Sequence, residues 1–271
     1  MPLTKAIKAG ITIPELIKTA ADDDDYLILF TPTGDPYKIT KTNFLSGLSG
    51  VGNGGGGSGD TYFNDVVLLL PFDGNINDIK GHSVTATGTP TIDTTQYKNG
   101  TGSLNLDGDS YLSIANTTDF ELGNGDFTIE CWVYPTFSAQ VRNIAVHRNN
   151  YASDQSWSLN TYHPQDIGKI SFFANNANEI SLNSSFKPAM NTWSHIAICR
   201  STNVFTFYGN GVSAGVTTSG SSIRTTSSNM YIGQAPDSPS EKWIGKIDDF
   251  RITKRCLYTE NFTPPGKLPT N

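Results

Sequence analysis

The stretch 127-FTIECWV-133 decides the fold class. Apolar residues alternate along it, so that Phe127 and every second residue to Val133 fall on one face, whereas Thr128, Glu130 and Trp132 fall on the other. Successive side chains of a β-strand point to opposite faces of a sheet. The pattern therefore predicts a strand whose Phe127 face enters a hydrophobic core.

Strand-like runs recur on both sides of this stretch. They are DVVLLLPF (65–72), GSLNLDG (102–108), SYLSIA (110–115), DFTIECWVYP (126–135), RNIAVHR (142–148), SWSLNTY (156–162), KISFFAN (169–175), SHIAICRS (194–201), VFTFYGNGV (204–212), NMYIGQ (229–234) and KIDDFRIT (246–253). Turn-forming residues separate them, as in LDGD, GNGD, NNAN and YGNG. These runs are more numerous than the strands of one small immunoglobulin-like domain. They predict an all-β, antiparallel jelly-roll β-sandwich over residues 61–271.

Residues 1–48 are predicted to form a separate, small N-terminal adapter. Within them YLILF and YKIT flank TPTGDP, and Pro, Gly and Asp between two strand-like runs predict a β-hairpin. A short helix is predicted around Ile13 to Ala21, and the acidic run Asp22–Asp25 is interpreted as a solvated cap or loop. So small a zone rarely buries a self-sufficient core, so we expect it to drive homo-oligomerisation.

Residues 49–60, which include GNGGGGSG, are predicted to form a flexible linker. As a random coil they would span roughly 18–20 Å on average. The glycines resemble no phosphate-binding loop, because neither the Lys-Ser/Thr ending nor a following helix is present. The linker is expected to separate the adapter from the sandwich without orienting it.

The composition excludes two classes of partner. The chain of 271 residues has a net charge of −6, and it shows no cluster of Lys and Arg of the kind that nucleic acids and anionic membranes require. Its longest apolar stretch, Val66 to Leu70, is too short to span a bilayer, and no signal peptide is recognised at the N-terminus. We therefore expect no nucleic-acid binding, no membrane insertion, and synthesis in the cytoplasm.

The three cysteines, Cys131, Cys199 and Cys256, form no C-x-x-C pair. Neither a disulfide framework nor a zinc site is indicated by an odd number without that spacing. Small buried thiols are the expected role.

An ordered series of segments carries a family resemblance. VVLLLPFDGN, GTGSLNLDGDSYLSI, DFTIECWVYP, NTWSHIAICRSTNVFTFYGNG, MYIGQ and WIGKIDDFRIT resemble, in order and spacing, laminin G-like (pentraxin-like) domains of the concanavalin A-like lectin/glucanase superfamily. RCLYTENFTPPGKLP and DDDDYLILFTPTGDPYKITKTNFLSGL further resemble tailed-bacteriophage virion proteins that carry such a domain. That likeness implies docking of residues 1–48 on other virion proteins and assembly of symmetric oligomers, often homotrimers.

Catalysis is not expected, although the superfamily includes glycan hydrolases. The resemblance to its hydrolytic branch would require a Glu-x-Asp-x-x-Glu strand, which places one carboxylate as acid and another as nucleophile. No such strand is present, and the nearest candidates are the isolated Glu130 and the pair Asp248–Asp249. Its four histidines lack metal-ligand spacing, and His195 is expected to be a hydrogen-bonded strand residue.

The family resemblance leaves calcium binding as an alternative to a turn-forming role for several Asp residues. Laminin G-like relatives often bind one structural Ca²⁺ through Asp side chains and loop carbonyls, the oxygen ligands that this cation prefers. If calcium binds, Asp73 and Asp248 are the expected ligands. Asp beside Gly is also common in tight turns, and the sequence favours that turn role.

The stretch 147-HRNNYASDQSWSLNTYHPQD-166 is the candidate for sugar binding. Aromatic rings stack on the C–H groups of a pyranose and planar amides bind its hydroxyls. The candidate residues are Asn149, Asn150, Tyr151, Tyr162 and His163. Trp157 alternates with Leu159 and is expected in the core, and packing is the alternative role for each aromatic residue.

The expected function is that of a non-enzymatic phage virion structural protein, a fibre, spike or capsid-surface decoration that displays a glycan-binding module. A dedicated tail receptor-binding adhesin for host-surface glycans is the main alternative, and a glycan-cleaving enzyme is a distant one. The expected location is the virion. The sequence leaves open whether residues 1–48 dock on the capsid or on the tail.

Overall fold

A computed structural model of the chain describes residues 26–30, 36–40, 61–137 and 140–270. The chain divides into two compact units, Met1–Gly54 and Gly55–Asn271. In the first, strands β1 (Tyr26–Phe30) and β2 (Pro36–Thr40) pair antiparallel, with Tyr26 opposite Thr40. This pairing confirms the hairpin predicted from YLILF and YKIT. The predicted helix over 13–21, the acidic run 22–25 and the linker 49–60 lie outside the described residues.

The second unit is built of short strands. They are β3 (Val66–Leu70), β4 (Val84–Thr87), β5 (Thr91–Asp93), β6 (Ser103–Asp107), β7 (Tyr111–Ile114), β8 (Phe127–Pro135), β9 (Asn143–Asn150), β10 (Asp154–Asn160), β11 (Ser171–Ala174), β12 (Ile180–Asn183), β13 (Ser194–Ser201), β14 (Val204–Gly209), β15 (Val212–Thr218), β16 (Met230–Ile232) and β17 (Ile244–Thr253). Among the described residues of this unit, single-turn 3₁₀ helices precede β3 (Phe63–Asp65), follow β7 (Thr118–Phe120) and follow β11 (Asn176–Asn178). Among the described residues, no helix is both long and apolar enough to cross a membrane.

These strands form two sheets. One has the order β12-β11-β10-β9-β16-β7-β4, and the other has the order β15-β14-β13-β8-β17-β6-β5, with β3 paired to β17. Neighbouring strands run antiparallel in both sheets, from β10–β11 in the first to β8–β17 in the second. The sheets enclose one hydrophobic cluster that includes Ile129, Trp157, Phe172, Ile198 and Ile247. The predicted all-β, antiparallel jelly-roll β-sandwich is confirmed.

Strand β8 behaves on its inner face as its alternation predicts. Phe127, Ile129, Cys131 and Val133 all belong to the hydrophobic core. The opposite face is also covered, because Glu130 is fully buried and Trp132 is only 7% exposed. The cover is a segment that we call the C-terminal strap, residues 255–262, whose Cys256, Tyr258 and Phe262 pack against Ala197, Cys199 and Tyr208 on the outer face of the same sheet.

A tight turn and the strap meet at Gly211. Asn210 and Gly211 both have positive φ, 50° and 77°, as a two-residue hairpin turn between β14 and β15 requires. The N–H of Phe262 donates to Gly211 O at 2.9 Å. A Cβ at Gly211 would lie 1.9 Å from Phe262 O, so only glycine lets the strap approach this turn.

Candidate functional site

Two predicted calcium ligands lie beside a loop that closes over β17. The register of β17 against β8 shifts between Asp248 and Arg251, and Asp249 has a φ of 49° in this bulge. Asp248 Oδ2 accepts the backbone N–H groups of Lys98 at 2.8 Å and Asn99 at 3.0 Å. Asp249 Oδ2 accepts Asn99 Nδ2 at 2.8 Å. The bulge therefore directs two consecutive carboxylates toward one loop.

Asp73 approaches the same loop from the other side. Its Oδ1 accepts the N–H of Thr101, and a Cβ at Gly100 would lie 1.9 Å from that oxygen. Its Oδ2 lies 2.6 Å from Lys267 Nζ. The structure thus brings Asp73 and Asp248 to one site, adds Asp249, and places an ammonium group of the chain itself against Asp73.

The electrostatics of these carboxyl groups differ. Burial, opposed by the amides of Asn99 and Lys98, raises the pKa of Asp248 to about 6. Burial and the adjacent Asp248 charge raise the pKa of Asp249 to about 7. Burial also acts to raise the pKa of Asp73, but Lys267 and Thr101 outweigh it, and that pKa is lowered.

The donor chemistry fits a hard divalent cation. Asp248 Oδ1 is buried and has no hydrogen-bond partner, and carboxylate oxygens are the ligands that Ca²⁺ prefers. Within the described residues, however, no three His, Cys, Asp or Glu side chains are arranged to ligate one ion together. An ion here would need backbone or water oxygens to complete its coordination.

Glu130, the isolated carboxylate of β8, lies in a closed network under the strap. Its Oε1 accepts Arg251 Nε at 2.8 Å, and its Oε2 lies 3.2 Å from His195 Nε2 and accepts the Tyr258 hydroxyl at 2.8 Å. Burial alone would raise the pKa of Glu130, but Arg251 and His195 lower it to about 2. Glu130 is therefore an ionised, fully buried group. The expected role of His195 as a hydrogen-bonded strand residue is confirmed.

The predicted sugar-binding residues lie at two places. Asn150 pairs with Asp154 at one end of the β9–β10 ladder, and Asn143 pairs with Asn160 at the other. Asn149, Asn150 and Tyr151 therefore lie at the β9–β10 turn. Tyr162 and His163 follow the far end of β10, so the structure does not bring the five residues together. Trp157 is fully buried, as predicted.

The backbone of Tyr151 is hydrogen-bonded at both its N–H and its carbonyl, and its ring is exposed. Its N–H donates to Asp237 Oδ2 at 2.8 Å, and its carbonyl accepts the N–H of Ala177 at 2.7 Å. Arg148 Nε in turn donates to Asp237 Oδ1 at 3.1 Å. The Tyr151 side chain remains 51% exposed. Because this backbone is already fixed, a ligand that binds the ring does not have to order the turn that carries it.

A chain of planar polar groups is linked to the Tyr151 backbone through Asp237. Arg148 Nη1 donates to Gln155 Oε1 at 3.2 Å, and Gln155 Nε2 donates to Asn178 Oδ1 at 3.0 Å. Arg148 and Gln155 are only 6% and 1% exposed. We call Arg148, Asn149, Asn150, Tyr151, Gln155, Asn178 and Asp237 the Tyr151 platform. Sequence reasoning missed Asp237, which is 86 positions from Tyr151 and has no local signal.

Tyr162 and His163 make contacts within the sandwich, and Tyr162 is also 43% exposed. The Tyr162 ring packs on Phe173 with centroids 6.0 Å apart. His163 Nδ1 accepts the N–H groups of Gln165 and Asp166 at 3.2 and 3.1 Å, which closes the loop after β10. A groove of about 360 Å³ opens beside this loop and is lined by Thr161 and by Phe137, Lys187 and Met190. Lys187 Nζ is engaged with Asp166 at 3.1 Å.

Residues 106–261 match the Laminin_G_3 family profile, described as the concanavalin A-like lectin/glucanases superfamily. Among curated protein sequences, none matches the chain.

Three solved structures show the likeness in fold. The binding domain of Paraclostridial Mosquitocidal Protein 1 superposes with a TM-score of 0.60 at 15% identity, over 73% of this chain and 51% of that one. Domain 4 of the GH43 extracellular arabinanase AbnA from Geobacillus stearothermophilus, in complex with arabinotriose, has a TM-score of 0.55 at 15% identity, over 72% and 94%. The receptor binding domain of botulinum neurotoxin C/D mosaic serotype has a TM-score of 0.54 at 15% identity, over 72% and 49%. This chain therefore spans about half the length of the two toxin domains.

Proposed function

The chain belongs to the concanavalin A-like lectin/glucanases superfamily, and on that premise we propose that it is a non-enzymatic glycan-binding protein of a tailed-phage virion. The observation that carries the glycan-binding proposal is Tyr151, whose ring is exposed and whose backbone N–H is held by Asp237, which Arg148 holds in turn. Stacking on such a ring and hydrogen bonds from neighbouring amides are how a protein surface holds a sugar.

The structural neighbours support a binding role by analogy. One is an arabinanase domain in complex with arabinotriose, and another is a receptor binding domain of a neurotoxin. Their low identity limits the likeness to the fold, and a fold supports function only when a site on it is argued separately. The Tyr151 platform supplies that site.

Two features support a non-enzymatic role. Glu130 is fully buried and ion-paired, so it has no access to a substrate. Asp248 and Asp249 are 0% and 2% exposed beneath the loop that contains Asn99. A glycosidase needs two carboxyl groups on opposite sides of an accessible glycosidic bond, and these side chains do not offer that arrangement.

We propose one structural Ca²⁺ at the carboxylate cluster formed by Asp73, Asp248 and Asp249. The partnerless Asp248 Oδ1 and the raised pKa values of Asp248 and Asp249 support it, because a cation would neutralise the charge that burial makes costly. Asp73 and Asp248 would hold the ion, with backbone or water oxygens completing its coordination, and would join β17 to the loop at Asn99 and Gly100. When bound, the ion supplies charge neutralisation only.

Tyr151→Ala should lower the affinity for the bound glycan about 10-fold, because an aromatic stacking contact is worth about 1–2 kcal/mol. The measurement is an array of bacterial capsular polysaccharides and O-antigens, followed by titration with the best polysaccharide. Tyr162→Ala is the matched control and should change affinity less than 2-fold. Loss of binding in Tyr162→Ala with retention in Tyr151→Ala would move the site to the groove beside Thr161. Release of reducing sugar would contradict the non-enzymatic role.

The virion role depends on residues 1–48, which we propose dock on other virion proteins and form a homotrimer. The resemblance to phage virion proteins supports this proposal, and a dedicated tail receptor-binding adhesin is its alternative. Several weak glycan sites carried by one oligomer gain strongly in avidity.

Light scattering should therefore give about three times the monomer mass for the full chain. The apolar runs of so small an adapter need to be buried, and we expect the same segment of symmetric copies to bury them. Residues 60–271, which carry their own closed core, should remain monomeric. Equal monomeric masses for the two proteins would contradict the assembly role. Localising the full chain in a density map of the intact particle would then distinguish a capsid decoration from a tail adhesin.

A further inference from the structure

Cys199 and Cys256 are brought together by one hydroxyl group. The Thr128 hydroxyl donates to Arg255 O at 2.8 Å and accepts the N–H of Leu257 at 2.9 Å, so it holds both neighbours of Cys256. The same oxygen lies 3.4 Å from Cys199 Sγ. The two thiols belong to one packed cluster on the outer face of the sheet, with Cys199 on β13 and Cys256 on the C-terminal strap.

The two thiols have different environments. Cys199 is 1% exposed, and its Sγ lies 3.4 Å from the Thr128 hydroxyl oxygen. Burial raises the pKa of Cys199 well above its usual range. Cys256 is only partly buried, and the hydrogen bond with Cys199 lowers its pKa to about 7. Cys256 therefore has the character of an attacking thiolate and Cys199 that of a resolving thiol.

We propose that Cys199 and Cys256 form an intramolecular disulfide when the protein meets a small disulfide oxidant such as glutathione disulfide. The Cys256 thiolate attacks one sulfur of the oxidant, forms a mixed disulfide and expels one glutathione thiolate. Cys199 loses its proton to solvent and attacks Cys256 Sγ, and the bond between Cys256 and glutathione breaks. Two protein thiols are oxidised, and one glutathione disulfide is reduced to two molecules of glutathione.

The bond would fix the strap covalently to the eight-stranded sheet. The strap carries Tyr258, which donates to Glu130, and Phe262, which stacks on Tyr258 with ring centroids 3.5 Å apart. A crosslink at Cys256 therefore secures the cover of the Glu130 network. Cys131 lies on the core face of β8, fully buried, and cannot take part.

The full-length protein is incubated with glutathione disulfide at pH 8, and its thiols are counted with Ellman's reagent after denaturation. We expect one free thiol of the three, and non-reducing peptide mapping should assign it to Cys131 and link Cys199 to Cys256. The melting temperature should rise by about 5–10 °C on oxidation and fall again with dithiothreitol. In Cys199→Ser, glutathione should remain attached to Cys256, because the resolving thiol is absent.

Three results would overturn the proposal. They are three free thiols after prolonged incubation, a stable mixed disulfide on Cys256 of the parent protein, or a disulfide that links two chains through Cys256. The mapping of the parent decides the matter even if Cys199→Ser does not fold. Cys131→Ala serves as the matched control and should form the Cys199–Cys256 link as the parent does.

Discussion

Replacing Glu130 with alanine should lower the free energy of unfolding by about 3–5 kcal/mol, since one partner of a buried ion pair is removed while the other stays buried. Arg251, His195 and Tyr258 all direct polar atoms at this carboxylate. Without it, the Arg251 guanidinium retains its charge beneath the strap. Urea denaturation followed by tryptophan fluorescence measures the change.

The matched control is a carboxylate with two cationic partners on the surface. Asp166 lies 3.1 Å from both Lys169 and Lys187, and its side chain is 42% exposed. Exposed ion pairs contribute little to stability, so Asp166→Asn should leave the urea midpoint nearly unchanged. Equal effects of the two substitutions would contradict the assignment of Glu130 as the buried centre of the network.

Asp249→Asn should raise the free energy of unfolding by about 2–3 kcal/mol at pH 8 in a chelator, because it removes one of two adjacent buried charges. The folded pKa values of Asp248 and Asp249, about 6 and about 7, lie above the usual aspartate value. The folded state therefore binds these protons more tightly than the unfolded state does. Stability from these carboxyl groups is fully present below the unfolded pKa of 3.8 and is lost as the pH rises from there through the folded values of about 6 and about 7, so the advantage of Asp249→Asn should shrink as the pH falls and disappear only near pH 4.

The comparison of variant with parent is needed because another group opposes the trend. Burial lowers the pKa of His147 to about 4, so the folded state loses stability as the pH falls below the ordinary histidine pKa of about 6.5. That loss is common to parent and Asp249→Asn, and it cancels in their difference.

Calcium should make the parent protein more stable than Asp249→Asn, which is the reverse of their order in a chelator at pH 8. At pH 8, Ca²⁺ should raise the melting temperature of the parent and have little effect on Asp73→Ala, which lacks a ligand, or on Asp249→Asn, which lacks part of the negative charge that attracts the ion. A parent whose melting temperature does not change with Ca²⁺ would refute the calcium proposal. The pH dependence would then be the property of a carboxylate cluster that Lys267 alone partly neutralises.

The interior strands could be predicted from the sequence and the edge strands could not. β4, β5, β12 and β15 were missed, and each is the outermost strand of its sheet. β15, for example, exposes Val212 and Val216 and buries no residue fully. β4, β5 and β15 bury no residue fully, and β12 alternates over only four residues, so none of them carries the sustained apolar pattern that sequence reading depends on. By contrast β8, central in its sheet, was recognised from alternation alone.

The candidate sites follow the same division between local and distant partners. Asn150 and Tyr151 could be proposed as sugar-binding residues from the sequence because the aromatic ring and the amides are neighbours there. Asp237, which fixes Tyr151, and Tyr258, which seals Glu130, come from distant positions and carry no pattern. The expectation that all three cysteines are buried was wrong for Cys256, because its segment crosses the sheet as a strap with one side in solvent.

The decisive test of glycan binding at Tyr151 is a crystal structure of the full chain with the oligosaccharide that binds best on the array. We predict a sugar ring stacked on Tyr151 with its hydroxyls bonded to the Tyr151 platform, the glycosidic bonds intact and the protein backbone unchanged. Sugar bound in the groove beside Thr161 would contradict binding at the Tyr151 platform. A cleaved oligosaccharide anywhere on the sandwich would contradict the non-enzymatic role.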